Sequence, residues 1–597
     1  MTAPVSRAEA IARLTAPGQQ FELEPLEQGG RLVRNFKHAP PSLRAMYEQY
    51  LSDLPFIVYE DERYTFAEAW RAASRIGHLL VHECGVAPGD RVAIAMRNYP
   101  EWMFAFTAIT SIGAIAVAMN AHWQPEEVAH GLADSGARVL IADQERLDRY
   151  VQARQLHAAH GEAGHVQAGR VQAPPLPPLA VRHVLGVRAT RLPDGARPLA
   201  PAVAALGDVP MPPVAIAPDD LATLLYTSGS SGRAKGVPST HRNILAALMS
   251  WGLDLRINEL VTGAAVTLPI QLGTLLAVPL FHVTGLHSSF LASYGLQRRV
   301  VSMYRWDPEL AARLIDRERL TSIVAPAAIT GDLIRVARAG GHDLRTLLTV
   351  GGGGAPRAPE QVRQIDASFE NAAPGIGWGM TETNAIGTGN SGADYLARPA
   401  SSGRCSQVLD LSIRDDAGNE LPRGKRGELW VRGTSVFRGY WNLPEATAEA
   451  FVGDWFRTGD IAYLDDDDFL FIVDRLKDLI IRGGENIGCG HVEAALLMHP
   501  DVHEASVYAV PDDRMGEEVG ATIYAADTLD DDRLREFLAH HLARFEIPRY
   551  IVRSPGPLPR TPSGKILKRQ LRDDAIAQLA SHAPSASSGA TSGARQP

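Results

Sequence analysis

Helix-period and strand-period stretches alternate along residues 60–145, and this alternation restricts the fold more than any other feature of the chain. "TFAEAWRAASRIGHLLVHECG" puts Thr65 where a helix N-cap belongs, Glu68 three residues on to complete a capping box, and Gly85 as a stop. "DRVAIAM" then reads as a buried strand, "EWMFAFTAITSIGA" as a helix and "ARVLIAD" as a further strand. Strands separated by helices imply a doubly wound α/β fold, because a parallel pair needs a crossover long enough to hold a helix.

With 597 residues the chain exceeds what one hydrophobic core supports, so several domains are expected. The α/β pattern breaks at 152–215, where "HAAHGEAGHVQAGRVQAPPLPPL" is rich in Ala, His, Gly and Pro and predicts a variable surface insertion. It resumes at "DLATLLYTSG". From 403 to 475 the strands are short and alternating ("GELWVRG", "IAYL", "FLFIV"), which predicts an antiparallel module. The run Asp465–Asp468 between two of them reads as a solvated hairpin turn rather than a metal site. The expected layout is an N-terminal extension over 1–40, a large domain over 41–476, a small α+β domain over 477–578 and a disordered tail over 579–597.

Composition narrows the partners. A net charge of −9 gives no electrostatic footing for nucleic acid. Cys84, Cys405 and Cys489 make neither a CxxC pair nor a disulfide framework, and free thiols fit a reducing cytoplasm. The opening "MTAPVSRAEAIARLTAPGQQ" lacks the apolar core of a signal peptide. Residues 260–281 carry no charge over 22 positions, yet Pro269, Gln271 and Pro279 interrupt them. A buried strand region explains that run better than a membrane span, although peripheral membrane contact stays open.

"LLYTSGSSGRAKGVPSTHRN", residues 224–243, reads as a strand, a Gly- and Ser-rich turn and then a helix, with N–H groups, hydroxyls and a Lys converging on one anion. It is not a Walker A loop, since two residues separate Gly232 from Lys235 and Gly236 follows the Lys. "TLLTVGGGGAP" runs a strand into four glycines, where a flat base could lie against bare backbone. A dinucleotide fingerprint is disfavoured there, because no helix or acidic residue follows at the required spacing.

Taken in order, "YTSGSSGRAKGV", "GGGGAP", "GWGMTET", "WFRTGD", "DRLKDLIIRGGENI" and "PRTPSGKILKR" resemble the motifs of the adenylate-forming superfamily over residues 40–572. The resemblance implies ATP-dependent activation of a carboxylate as an acyl-adenylate, with release of pyrophosphate and transfer to a thiol. It implies that Thr227, Ser228, Gly229, Ser230, Ser231, Gly232 and Lys235 hold the β- and γ-phosphates. Gly353, Gly354, Ala355, Pro356, Trp378, Gly379 and Met380 would form the nucleotide pocket, Trp378 standing where relatives usually carry Tyr. Thr381 would meet the α-phosphate, Glu382 would ligate Mg²⁺, and Asp460 with Arg475 would hold the ribose. Lys565 would bridge carboxylate and α-phosphate, and His282 would lie between acyl pocket and thiol channel. In this family the small domain rotates between the two half-reactions, here about Lys477, and Gly483 and Gly484 would let pantetheine pass. One departure is "GGENIGCGHVE", where relatives have Tyr-Pro; Gly488, Cys489 and Gly490 are expected to loosen the acceptor surface.

The leading expectation is a cytoplasmic acid–CoA ligase for a fatty or other hydrophobic acid, using ATP, Mg²⁺ and coenzyme A, with a homodimer left open. An aryl-CoA ligase, a ligase loading a carrier protein, a luciferase-type monooxygenase and a non-catalytic nucleotide binder are the alternatives. The last is disfavoured by the presence of Lys565, Glu382 and Asp460.

Overall fold

The computed structural model describes residues 5–28, 30–162, 177–227, 233–263, 270–476, 478–482, 485–512, 514–561 and 564–582. The chain divides into two compact units, Met1–Ile472 with Pro562–Lys565, and Val473–Thr561 with Ile566–Pro597.

Two large sheets organise the first unit. One has seven strands in the order Lys235–Thr240, Leu221–Thr227, Ile115–Ala118, Arg91–Ala95, Val139–Asp143, His183–Val187, Arg197–Pro198. The other has nine: Arg404–Cys405, Thr388–Ser391, Ala373–Trp378, Thr349–Gly352, Ser322–Val324, Gly273–Leu276, Arg299–Ser302, Pro55–Tyr59, Glu62–Thr65. Their central strands pair in parallel, as the alternation of helix and strand periods implied, and antiparallel pairs close both edges of the nine-stranded sheet and one edge of the seven-stranded sheet, whose other edge is parallel. Helices Phe66–His82 and Pro100–Ser111 belong to one core cluster with Ile94 and Ala116 of the first sheet and Ile57 and Val300 of the second. The first helix carries the expected capping box of Thr65 and Glu68, and Phe66, Ala69, Ala73, Ile76 and Leu80 make its buried stripe. Pro100–Ser111 is buried on nearly every side, which fits its continuous apolar sequence.

A third, antiparallel sheet holds Leu409–Arg414, Gly427–Gly433, Trp455–Leu464, Phe451–Val452 and Leu470–Arg475. Asp465–Asp468 forms its hairpin turn: the Asp468 N–H donates to the Asp465 carbonyl at 3.1 Å, and Asp468 sits at φ 64°.

Two expectations change and a third is met. The stretch 152–215 is not simply a surface insertion. Its start ends helix Gln144–Glu162, and His183–Val187 pairs in parallel with Val139–Asp143 inside the sheet. The "HVLGV" run was too short, beside a Pro-rich neighbourhood, to stand out as a strand. Second, the turn after Thr227 leads to strand Lys235–Thr240, antiparallel to Leu221–Thr227, and a helix begins only at His241. The segments on either side of residues 228–232 are therefore paired antiparallel strands, and Lys235 lies on a strand rather than at a helix N-terminus. Third, in residues 260–281 the charge-free run includes a core strand, Gly273–Leu276, buried throughout. Residues 264–269 lie outside the described residues. Among the described residues no helix is long and apolar enough to cross a membrane.

The second unit is built on the long hairpin of Val502–Asp512 and Gly516–Ala525, with Ile480–Arg482, Glu485–Ile487 and Tyr550–Arg553 completing the sheet. Helix Cys489–Leu496 begins inside the divergent motif, and that segment is held rather than loose. The buried Cys489 thiol donates to the Asp478 carbonyl at 3.0 Å, and the Gly490 N–H donates to Asp474 at 3.4 Å. Burial pushes the Cys489 thiol well above its usual range, as expected of an inert thiol. Glu493 on the same helix pairs with Lys568 at 2.9 Å and accepts the Val507 N–H at 2.8 Å. Much of the 579–597 tail, from residue 583, lies outside the described residues.

Burial makes the first unit acid-sensitive. His241 and His287 are fully buried, and desolvation pulls each pKa from 6.5 down to about 4. The unfolded chain binds more protons between those pH values, so their contribution is complete above pH 6.5 and falls as pH drops towards 4. Each residue accounts for about 3 kcal/mol across that window. Thermal unfolding followed from pH 7 to 4 should therefore show a shallower loss of stability in His241→Asn, whose amide can still accept from the Leu43 N–H, than in the wild type; equal slopes would contradict this origin.

Candidate active site

The C-terminal ends of neighbouring parallel strands supply most of the site. Thr349–Gly352 ends in Gly353 and Gly354, and Ala373–Trp378 ends at the indole that opens the segment Gly379–Glu382. Strand Gly273–Leu276 leads to His282 and a π-helical turn over Thr284–Leu291. Ligands of open α/β sheets bind in this position.

Trp378 does not present itself simply as a stacking surface. Its Nε1–H donates to Asp460 Oδ2 at 2.8 Å, joining the expected adenine wall to the expected ribose carboxylate. Asp460 is 3% exposed, and its own N–H donates to Thr458 Oγ1 at 3.1 Å. Gly387 must be bare, since a Cβ there would collide with the Trp378 indole.

Thr381 and Glu382 lie in a 3-10 turn closed by strained backbone. Asn384 and Ala385 both adopt positive φ, 57° and 68°, unusual for residues with a Cβ. Hydrogen bonds hold them there. The Asn384 N–H donates to the Thr381 carbonyl at 3.1 Å, the Ala385 N–H donates to the Met380 carbonyl at 2.9 Å, and Asn384 Nδ2 donates to the Ser435 carbonyl at 2.9 Å. Buried His287 Nε2 bonds Asn384 Oδ1 at 3.2 Å. Glu382 is 6% exposed, and its Oε1 accepts from the Tyr440 hydroxyl at 3.0 Å. Among the described residues no group of three or more His, Cys, Asp or Glu side chains is placed to hold a metal. A single carboxylate fits Mg²⁺, which takes much of its coordination from substrate phosphates and water.

Thr227 and Lys235 face each other at the base of the hairpin, and the Lys235 ammonium lies 4.9 Å from the centre of the Tyr440 ring. Ser228, Gly229, Ser230, Ser231 and Gly232 fall outside the described residues, as do Lys477, Gly483 and Gly484. Lys565 groups with the larger unit: a Cβ placed on Gly354 would come within 3.6 Å of both Lys565 Cε and Thr284 Oγ1. His282 is half-buried, and burial first, then Lys565 and His122, pull its pKa down to about 3. A histidine held so strongly neutral is a weak base, which favours positioning over proton removal. Ala355 is half-buried and Pro356 exposed at the end of the glycine run, while Arg475, exposed, belongs to the second unit. Thus Gly354, His282 and Lys565 come together, as do Trp378 and Asp460. Glu382 joins Lys235 through a residue that motif reading missed, Tyr440, which no spacing rule linked to either partner.

The profile of the AMP-binding enzyme family matches residues 44–441, and that of the AMP-binding enzyme C-terminal domain matches residues 491–565. The chain belongs to the AMP-binding enzyme family. A long-chain-fatty-acid–CoA ligase of Mycobacterium tuberculosis is 33% identical to it, covering 86% of this chain and 93% of that protein. A feruloyl-CoA synthase of an Amycolatopsis species is also 33% identical, over 85% and 93%. The solved o-succinylbenzoate-CoA synthetase of Bacillus subtilis, with its acyl-adenylate intermediate, superposes with a TM-score of 0.72 at 27% identity, over 89% of this chain and 98% of that one. Within the family this chain is one of the acyl- or aryl-CoA ligases.

The indole–carboxylate bond is testable. A hydrogen bond to a charged group is worth about 1.5–3 kcal/mol, so Trp378→Phe, which keeps an aromatic face, should raise the KM for ATP by about tenfold or more. The KM for the acid should stay nearly constant in the same steady-state assay. An unchanged KM for ATP would show that stacking alone matters.

Proposed function

We propose that the protein is an ATP-dependent acid–CoA ligase for a hydrophobic carboxylic acid, with a medium- or long-chain fatty acid as first choice. The observation that carries the reading is the convergence of Lys565, Gly354 and His282 at the strand ends that also bear Trp378, Thr381 and Glu382, with Asp460 of strand Trp455–Leu464 bonded to Trp378. A carboxylate oxygen bonds the α-phosphorus, the bond from that phosphorus to pyrophosphate breaks, and pyrophosphate leaves with the electron pair. Lys565 then neutralises charge that grows between carboxylate and α-phosphate, and Asp460 fixes the ribose. Mg²⁺ held by Glu382 would add neutralisation of the phosphates. The CoA thiol next loses its proton to solvent, its sulfur bonds the acyl carbon, and the bond from that carbon to the AMP oxygen breaks with AMP taking the electron pair, whereas the free carboxylate would have had to expel oxide.

His282, expected between acyl pocket and thiol channel, is held neutral by burial and by Lys565 and so brings no positive charge to a bound tail, which supports an uncharged acid. Ile386, close in sequence to Glu382, is a core residue in the cluster that holds Val408 and Leu409. Equal identity to a fatty-acid ligase and a feruloyl-CoA synthase keeps an aryl acid as the second reading.

Acid-dependent exchange of pyrophosphate into ATP, run over acids from acetate to long-chain fatty acids, benzoates and cinnamates, tests the proposal. Exchange should be strongest with fatty acids, and Lys565→Ala should lower it by on the order of 10²–10³. The same variant should convert supplied acyl-adenylate and CoA to thioester at nearly the wild-type rate. Exchange with aryl acids alone would favour the second reading, and loss of both half-reactions would remove Lys565 from its role in adenylation.

A further inference from the structure

We propose that Tyr440 is a positioning residue that holds Lys235 and Glu382 in one fixed relation, so that the ammonium and the carboxylate engage the triphosphate together. The inference rests on the reading of those two residues as triphosphate contacts. Three contacts converge on this one side chain. The Tyr440 hydroxyl donates to Glu382 Oε1 at 3.0 Å, the Lys235 ammonium sits 4.9 Å from the ring centre, and Phe437, 1% exposed, packs edge-on with ring centres 4.9 Å apart. A buried carboxylate needs a donor, and a cation over an aromatic face is attracted by its quadrupole.

The backbone around Tyr440 is held from both sides. Its N–H donates to Thr447 Oγ1 at 2.9 Å. Gly439 takes φ +149°, and a Cβ there would lie 2.5 Å from Thr447 Cγ2, so only glycine permits this approach. One residue further, the Trp441 N–H donates to the Gly236 carbonyl at 2.8 Å and its indole N–H donates to the Asp134 carbonyl at 3.0 Å. Asp134 also receives the Tyr226 hydroxyl at 2.7 Å, from the other strand of the hairpin. On the opposite side, the Phe437 N–H donates to the Glu382 carbonyl at 2.8 Å. Residues 437–441 therefore grip the root of the hairpin and the Glu382 turn together, and Tyr440 alone among them touches both functional side chains.

Tyr440→Phe removes the hydroxyl and keeps the ring, whereas Tyr440→Leu removes both contacts. With full-length protein, pyrophosphate exchange should fall about ten- to 150-fold in Tyr440→Phe, the worth of one charge-assisted hydrogen bond, and further in Tyr440→Leu. Calorimetric titration with ATP, with and without Mg²⁺, should show that Tyr440→Phe weakens binding mainly when Mg²⁺ is present. Thioester formation from supplied acyl-adenylate and the melting temperature should stay near wild type. In a Glu382→Gln background, adding Tyr440→Phe should cost nothing further. Wild-type exchange in Tyr440→Phe, equal losses in both half-reactions, or additive losses with Glu382→Gln would each overturn the inference. If Lys235→Ala and Glu382→Gln themselves leave exchange intact, the underlying assignment of those residues fails instead.

Discussion

A parallel sheet delivers its strand ends to one edge, and this constraint fixes where the chemistry of the larger unit can sit. The register pairs Gly351 with Val324 and with Gly375, and Gly352 with Ile376, so neighbouring strands stop at one level. The segments beginning at Gly353 and Gly379 emerge side by side, and Gly273–Leu276, two strands away, sends out the connection to His282. Three segments far apart in sequence become neighbours because their strands are parallel. No single motif dictates that.

The antiparallel third sheet and its adjoining segment complete the arrangement in a recurrent way. Two buried carboxylates, Glu382 and Asp460, would be costly to desolvate without donors. Each receives a hydrogen bond from an aromatic side chain on a different element, Glu382 from Tyr440 and Asp460 from Trp378. Aromatic donors suit this task because they fill space, lose little rotamer entropy and aim a single polar hydrogen. These bonds orient the two carboxylates within the protein, and on the proposed reading that lowers the reorganisation needed at the moment of reaction.

Much of this was legible in the sequence where local signals were strong. The capping box at Thr65 and Glu68, the Asp465–Asp468 turn and the buried run at Arg91–Ala95 all rest on local rules, and all are present. Signals depending on distant pairing were not legible. Lys235–Thr240 looked like part of a turn leading into a helix, because "KGVPST" holds Gly and Pro and its strand character comes only from pairing with Leu221–Thr227. His183–Val187 was lost in a Pro-rich neighbourhood for the same reason. The apparent looseness of "NIGCGHVE" vanished once Asp474 and Asp478 supplied partners. Trp378 read as a stacking ring because sequence shows an aromatic but not where its N–H points, and Tyr440 carried no signal at all for contact with residues some 60 and 200 positions away.

The central claim is that acyl-adenylate forms at these strand ends, with Asp460 on the ribose and the glycine run against the base. A crystal structure with a non-hydrolysable acyl-sulfamoyl adenosine tests it most directly. The account predicts ribose hydroxyls within hydrogen-bond distance of Asp460, adenine beside Gly353–Pro356 and the acyl carbonyl near Lys565 and His282. An analogue bound elsewhere, or bound here with its ribose away from Asp460, would contradict it.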